Sequence, residues 1–193
     1  MRMMRHATIA ALALIAALPV RADTWLLLEG PSEIGFTYFE NEEPYRGRFP
    51  AFAGTAEFDA ARPAETQVEV TVTTSEVELA DFVRTAFAKT EGWFDTVGHP
   101  QAFLTLDRLI PVTRTEWEGV AQLTVKGITR EIRPRFVLTR PGNCLRARGE
   151  VEIPMADFEI GQGRISRFIR VGESVILDFN LLGHPEGIAP DCI

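Results

Sequence analysis

Most of the chain beyond residue 22 follows a two-residue alternation of apolar and polar positions, the period of a strand with one face buried. Val68, Val70 and Val72 alternate with Glu69 and Thr71, and Leu145, Ala147, Gly149, Val151 and Ile153 alternate with Arg146, Arg148, Glu150 and Glu152. Trp117 to Val125 repeats the pattern, as do Val175, Leu177, Phe179 and Leu181 against Asp178 and Asn180. Ile132 to Leu138 carries it with Pro134 as an interruption; lacking an N–H for the ladder, a proline suits a sheet edge or a bulge. Turn-forming residues separate these runs at Gly30-Pro31, Arg62-Pro63, Lys126-Gly127, Pro141-Gly142-Asn143 and Val171-Gly172. Seven or eight strands with short connections predict an all-β antiparallel sandwich or barrel in one domain.

One segment has a different period. Ser75-Glu76-Val77-Glu78 matches a capping box, and Leu79, Phe82, Val83, Ala86 and Phe87 follow at helical spacing. The spacing predicts an amphipathic helix over 76–89. Such a helix needs an apolar surface to cover, either as a lid over a barrel mouth or as ordinary core packing.

The N-terminus has the three parts of a secretory signal: Arg2 and Arg5, an apolar stretch from Ala7 to Val20, and a small-x-small site at Val20-Arg21-Ala22. The apolar stretch is shorter than the ~20 residues of a spanning helix, so cleavage is expected rather than a retained anchor. This divides the chain into a signal peptide at 1–22 and a single domain at 23–193. Cleavage removes Arg2, Arg5 and Arg21 and no acid. The 20 basic residues therefore fall to 17 against 27 acidic ones, and the net charge deepens from −7 to −10. That balance argues against nucleic acid, whose phosphates require a basic face, and against electrostatic docking on anionic membranes. Export to an oxidising compartment also bears on Cys144 and Cys192. Two otherwise unmatched thiols there are expected to pair and tether the C-terminal tail, the alternative being two free thiols in loops.

Catalytic signatures do not emerge. The chain has no Gly-x-Ser-x-Gly elbow, phosphate loop or His-Glu-x-x-His, and Gly161-Gln162-Gly163 reads as a turn. His99 and His184 each sit between a glycine and a proline, which suits a surface turn better than a general base, and neither has metal-ligand spacing with the cysteines. The chain instead carries 13 Phe. A closed sheet of about eight strands can hold either side chains or one apolar ligand. Candidate pore residues are Phe36, Tyr38, Phe52 and Phe58 on the early strands, Phe82 and Phe87 on the helix, and Trp93, Phe94 and Phe103 beyond it. Each could equally be core.

Several stretches, in order along the chain, resemble one family. Trp25-Leu26-Leu27 with Ser32-Glu33-Ile34-Gly35-Phe36 resembles the opening strands of the YceI family of polyisoprenoid-binding proteins. Gly47-Arg48-Phe49 with Phe52-Ala53-Gly54-Thr55-Ala56-Glu57-Phe58-Asp59 is similar to its G-x-F…F-x-G-x-x-x-F-D stretch. Gly92-Trp93-Phe94-Asp95 and His99-Pro100-Gln101-Ala102-Phe103 resemble its F-F-D…Y-P…F segment, and Gly119 to Arg130 its G-x-L-T-x-K-G-x-T-R hairpin. Asp157-Phe158 before Gly161 matches its late D-F-G-I region, with Met155 and Glu159 departing from the pattern and the two cysteines lying outside it.

The resemblance implies an extended eight-stranded antiparallel lipocalin-like barrel with a short helix near its mouth. It further implies an exported, non-catalytic protein whose pore binds, stores or transports an isoprenoid chain, such as a quinone-type lipid, with no other cofactor. Rim cations Arg46, Arg48 or Lys126 are candidates to meet a head group. The competing expectation is a barrel with a filled interior, acting through a protein partner as a stress-response or electron-transfer accessory. A homodimer is left open.

Overall fold

The structure, a computed structural model, describes residues 23–162 and 170–193. The signal peptide expected at 1–22, and Gly163 of the glycine pair, lie outside the described residues.

Among the described residues the alternating runs form twelve strands. These are β1 (Asp23–Leu27), β2 (Glu33–Glu40), β3 (Glu43–Arg48), β4 (Phe52–Phe58), β5 (Gln67–Thr73) and β6 (Glu78–Leu79). They continue with β7 (Gln101–Pro111), β8 (Glu116–Val125), β9 (Ile128–Ile132), β10 (Arg135–Thr139), β11 (Leu145–Pro154) and β12 (Ser174–Pro185). Eight of them close an antiparallel barrel in the order β1-β4-β5-β7-β8-β10-β11-β12, with β1 returning to β12 through Trp25↔Pro185, Leu26↔His184 and Leu27↔Gly183. Period-2 side chains then divide cleanly, apolar ones inward and charged ones outward.

Two strands serve two neighbours along one edge. β12 pairs with β1 near its end and with β2 through Ile176–Asn180, and β2 extends through β3 to β6. β8 pairs with β10 through Trp117 and with β9 through Ala121–Val125. Pro134 is the break between β9 and β10, and its carbonyl still accepts from Gly119 N–H at 2.9 Å. The turn between β8 and β9 is Lys126-Gly127, both at positive φ (53° and 73°), the two-residue geometry whose twist matches that of its strands. A register shift between Leu106 and Arg108 lets Leu106 and Leu109 both face inward across an odd spacing.

The helix is shorter and starts later than its spacing predicts. The helix α1 covers Phe82–Ala88 and is capped by Asp81, whose side chain accepts from Arg84 N–H at 2.8 Å. The capping box at Ser75 is not used. Thr74 is buried, donates its hydroxyl to the His99 carbonyl at 2.7 Å and takes Pro100 O on its N–H, which holds 74–76 in a tight 3₁₀ turn. Leu79 then pairs with Gly47 as a strand. Tertiary anchoring outweighs a local helix-start signal here.

Cys144 and Cys192 form a disulfide. Asn143 adds three hydrogen bonds to the tail, to Asp191 O, Ala189 O and Asp191 N, at 2.8–2.9 Å. The C-terminal tail is thereby strapped to one end of the barrel, opposite the end that carries α1.

Candidate functional site

The barrel encloses a cavity of about 260 Å³. Each strand of the closed ring contributes to its wall, for example Ala56 from β4, Val70 from β5, Leu106 from β7, Leu123 from β8, Phe136 from β10, Val151 from β11 and Leu177 from β12. Among the described residues no charged side chain lines it, and the polar side chains are three threonines, Thr55, Thr66 and Thr74.

Towards α1 the cavity ends on packed rings. Phe36, Phe49 and Phe94 form a triangle with centroid separations of 5.2, 5.4 and 5.7 Å. Phe36 reaches this position because Gly47 opposite it has no Cβ: one built there would lie 2.2 Å from the ring. Behind the triangle, Trp93 packs edge-on against Tyr38 (5.1 Å) and Phe87 (5.3 Å). Met155 and Phe158, in a 3₁₀ turn, complete the plug, both buried. Met155 therefore occupies an apolar position, and the neighbouring Glu159 adopts a left-handed φ of 53° while its carbonyl accepts from Lys126 Nζ at 2.9 Å.

A polar cluster fastens α1 to this plug. Glu40, nearly buried, accepts from the Tyr38 hydroxyl at 2.8 Å and from Arg84 at 3.0 Å, and Arg84 also pairs with Asp81 and lies 4.0 Å over the Tyr45 ring. Burial, then the hydrogen bond to Glu40, pushes the Tyr38 phenol well above its ordinary range. Glu40 and Asp81 hold the Arg84 guanidinium protonated. The N–H and guanidinium of Arg84 lower the Asp81 carboxyl below its usual value.

The pore candidates divide into five groups. Phe36, Phe58 and Phe94 are buried and line the cavity. Tyr38, Phe87 and Trp93 sit one ring behind it in the plug, and Phe52 is buried core that does not reach the cavity. Phe103 borders the cavity but keeps 44% of its surface in solvent. Phe82 is 85% exposed on the outer face of α1, so its expected place in the pore is corrected. With the helix beginning at Phe82, the inward face is Arg84, Phe87 and Ala88.

The rim cations are engaged elsewhere. Arg46 bridges Asp178 (2.7 Å) and Glu33 (3.2 Å) on the outer surface, and Arg48 pairs with Glu78. His99 lies 3.8 Å from Asp95 in the loop before β7, whereas His184, expected in a turn, lies within β12 opposite Leu26, with its ring against the Ile188 carbonyl. Among the described residues no cluster of three or more His, Cys, Asp or Glu is disposed to hold a metal ion, and no helix is long and apolar enough to cross a membrane. The cavity wall also contains residues that sequence reasoning passed over. Trp25 and Phe49 stand in the motifs quoted above, whereas Thr66 gives no signal at all.

A closed barrel with an apolar interior and an aromatic plug invites comparison with known proteins. The description YceI-like domain matches residues 25–182, which covers the ring from Trp25 to Leu182. The chain belongs to the YceI family. Among solved structures the YceI fold recurs in BcnA of Burkholderia cenocepacia, with a TM-score of 0.77 at 21% identity over 81% of this chain and 98% of that one. A polyisoprenoid-binding domain from Saccharophagus degradans, implicated in plant cell wall breakdown, aligns with a TM-score of 0.69 at 17% identity over 83% and 98%. The YceI protein of Campylobacter jejuni aligns at 0.62 and 16% identity over 74% and 85%. At these identities the likeness speaks for the fold. No curated protein matches the chain by sequence.

Proposed function

We propose that this YceI-family protein is a non-catalytic lipid binder that holds an isoprenoid chain or a similar amphiphile for storage or transport outside the cytoplasm. The observation that carries the reading is the cavity: enclosed by a continuous ring of strands, with no charge among the described residues of its lining. Apolar surface removed from water contributes ~25 cal/mol per Å², offset by the entropy of ordering a flexible chain. A hydrocarbon gains from such a wall, whereas a charged substrate would lose its hydration without compensation. The cavity lies just under the ~300–1,000 Å³ of typical small-molecule sites, a size that favours a slender chain over a bulky ring system. Among the described residues the lining carries no titratable side chain, which supports binding rather than acid–base chemistry. The disulfide supports an exported location, in keeping with a cleaved leader at 1–22 and the periplasm.

Native mass spectrometry of protein purified from its own host tests this reading. A co-purifying lipid of defined mass, removed by organic extraction and restored by an added isoprenoid, is the expected result. Protein that is empty as isolated and takes up no isoprenoid would overturn it in favour of a barrel with a filled interior.

A further inference from the structure

Two buried polar atoms in the cavity wall have no hydrogen-bond partner among the described residues: Nε1 of Trp25 and Oγ1 of Thr66. Their residues are 3% and 2% exposed, so bulk water does not reach them. An indole N–H is usually partnered when buried, because an unmade bond leaves its desolvation uncompensated.

The two lie at the same end of the barrel. Trp25 pairs with Ala56, Ala56 pairs with Val68, and Thr66 precedes Val68 by two residues, on the same inward-facing side. This is the strapped end: Arg140 lies 5.3 Å over the Trp25 ring, and Trp25 also borders a polar cleft under the tail with Asn143 and Glu186. The remaining polar lining is accounted for. Thr74 donates to the His99 carbonyl, and Thr55 is exposed. Trp93 Nε1 is also unpartnered, but Trp93 does not line the cavity and its ring is enclosed by Tyr38 and Phe87. Among the described residues, unsatisfied hydrogen-bonding capacity in the wall is therefore confined to one end.

We propose that this end is a polar subsite, in which the Trp25 N–H and the Thr66 hydroxyl donate hydrogen bonds to a neutral carbonyl function carried by the bound lipid. The inference rests on the lipid-binding reading above and adds the chemistry and orientation of the ligand. Neutrality follows from the described lining residues, among which there is no cation to pair with a phosphate or carboxylate. The donors call for an acceptor: an indole N–H can only donate, a hydroxyl can donate alongside it, and a carbonyl oxygen has two lone pairs to take both. The oxygen-bearing head lies towards the disulfide end and the hydrocarbon towards the aromatic plug.

The test compares two probes, farnesylacetone and the matching isoprenoid hydrocarbon without oxygen, by titration of wild type, Trp25→Phe, Thr66→Val and the double variant. Each single variant is expected to weaken ketone binding about five-fold more than it weakens hydrocarbon binding, the worth of one hydrogen bond. Thr66→Ser, which keeps the hydroxyl, should bind the ketone like wild type. In a ¹⁵N correlation spectrum the indole resonance that vanishes in Trp25→Phe should move with the ketone and stay in place with the hydrocarbon. Ketone affinity that survives in the double variant overturns the subsite and leaves lipid binding standing. An equal fall for both probes does the same, since it reports packing. If wild type binds neither probe, the lipid reading itself fails and the subsite falls with it.

Discussion

Removing the disulfide with Cys144→Ser and Cys192→Ser gives a stability loss that can be worked out in advance. The cysteines are 48 residues apart in sequence, and closing a loop of that length restrains the unfolded chain by about 4 kcal/mol on the chain-entropy model. For a domain of this size each kcal/mol shifts Tm by ~2–4 °C, so the variant should melt ~8–16 °C lower. The native barrel should survive, because β11 and β12 pair over ten residues within the loop and Asn143 still holds the tail through its three hydrogen bonds. Differential scanning calorimetry of wild type, the variant and wild type under reductant measures the shift. Urea titration should show a larger m-value for the open chain, whose unfolded state exposes more surface. A fall in Tm below ~3 °C with an unchanged m-value would refute the reasoning, since the loop would then be restrained in the unfolded chain by something other than the bond.

Gly47→Ala should displace the Phe36 ring and cost about 1–3 kcal/mol as an overpacking change, read by denaturant unfolding, with near-UV circular dichroism reporting the disturbed rings. Phe36→Asp places a carboxylate in the cavity wall and should abolish uptake of an isoprenoid probe, checked by native mass spectrometry on protein that retains its far-UV spectrum. Because the folded state lowers the Asp81 carboxyl below its ordinary 3.8, its contribution is complete above that value and fades as pH falls through the folded pKa; Asp81→Asn should flatten the acid limb of a Tm–pH profile there.

The barrel was legible because its strands keep one face buried over many residues, and a two-residue period survives even the interruption at Pro134. Local signals failed where tertiary contacts competed. The helix start at Ser75 was plausible until the Thr74 hydroxyl found the His99 carbonyl. That late start turned Phe82 into solvent while leaving Phe87 against Trp93. Pore facing was legible only in part, because an inward aromatic near a barrel end can meet either the cavity, as Phe94 does, or another ring, as Tyr38 does. Thr66 could not have been found at all: a threonine after a turn looks alike whether its hydroxyl is solvated or buried in a hydrocarbon wall.

The seam where β1 meets β12 joins Trp25 to Pro185, near the two ends of the described chain. Contacts of such long range are slow to form, since a large loop must close before any pairing compensates its entropy. β12 is also the partner of β11 and β2, so three ladders wait on the last strand to be synthesised. Until it arrives, β1 can lean only on β4, and the apolar faces that later surround the cavity stand open to water. The chain is thus poorly suited to folding while it is being made, and its barrel closes in a single late step.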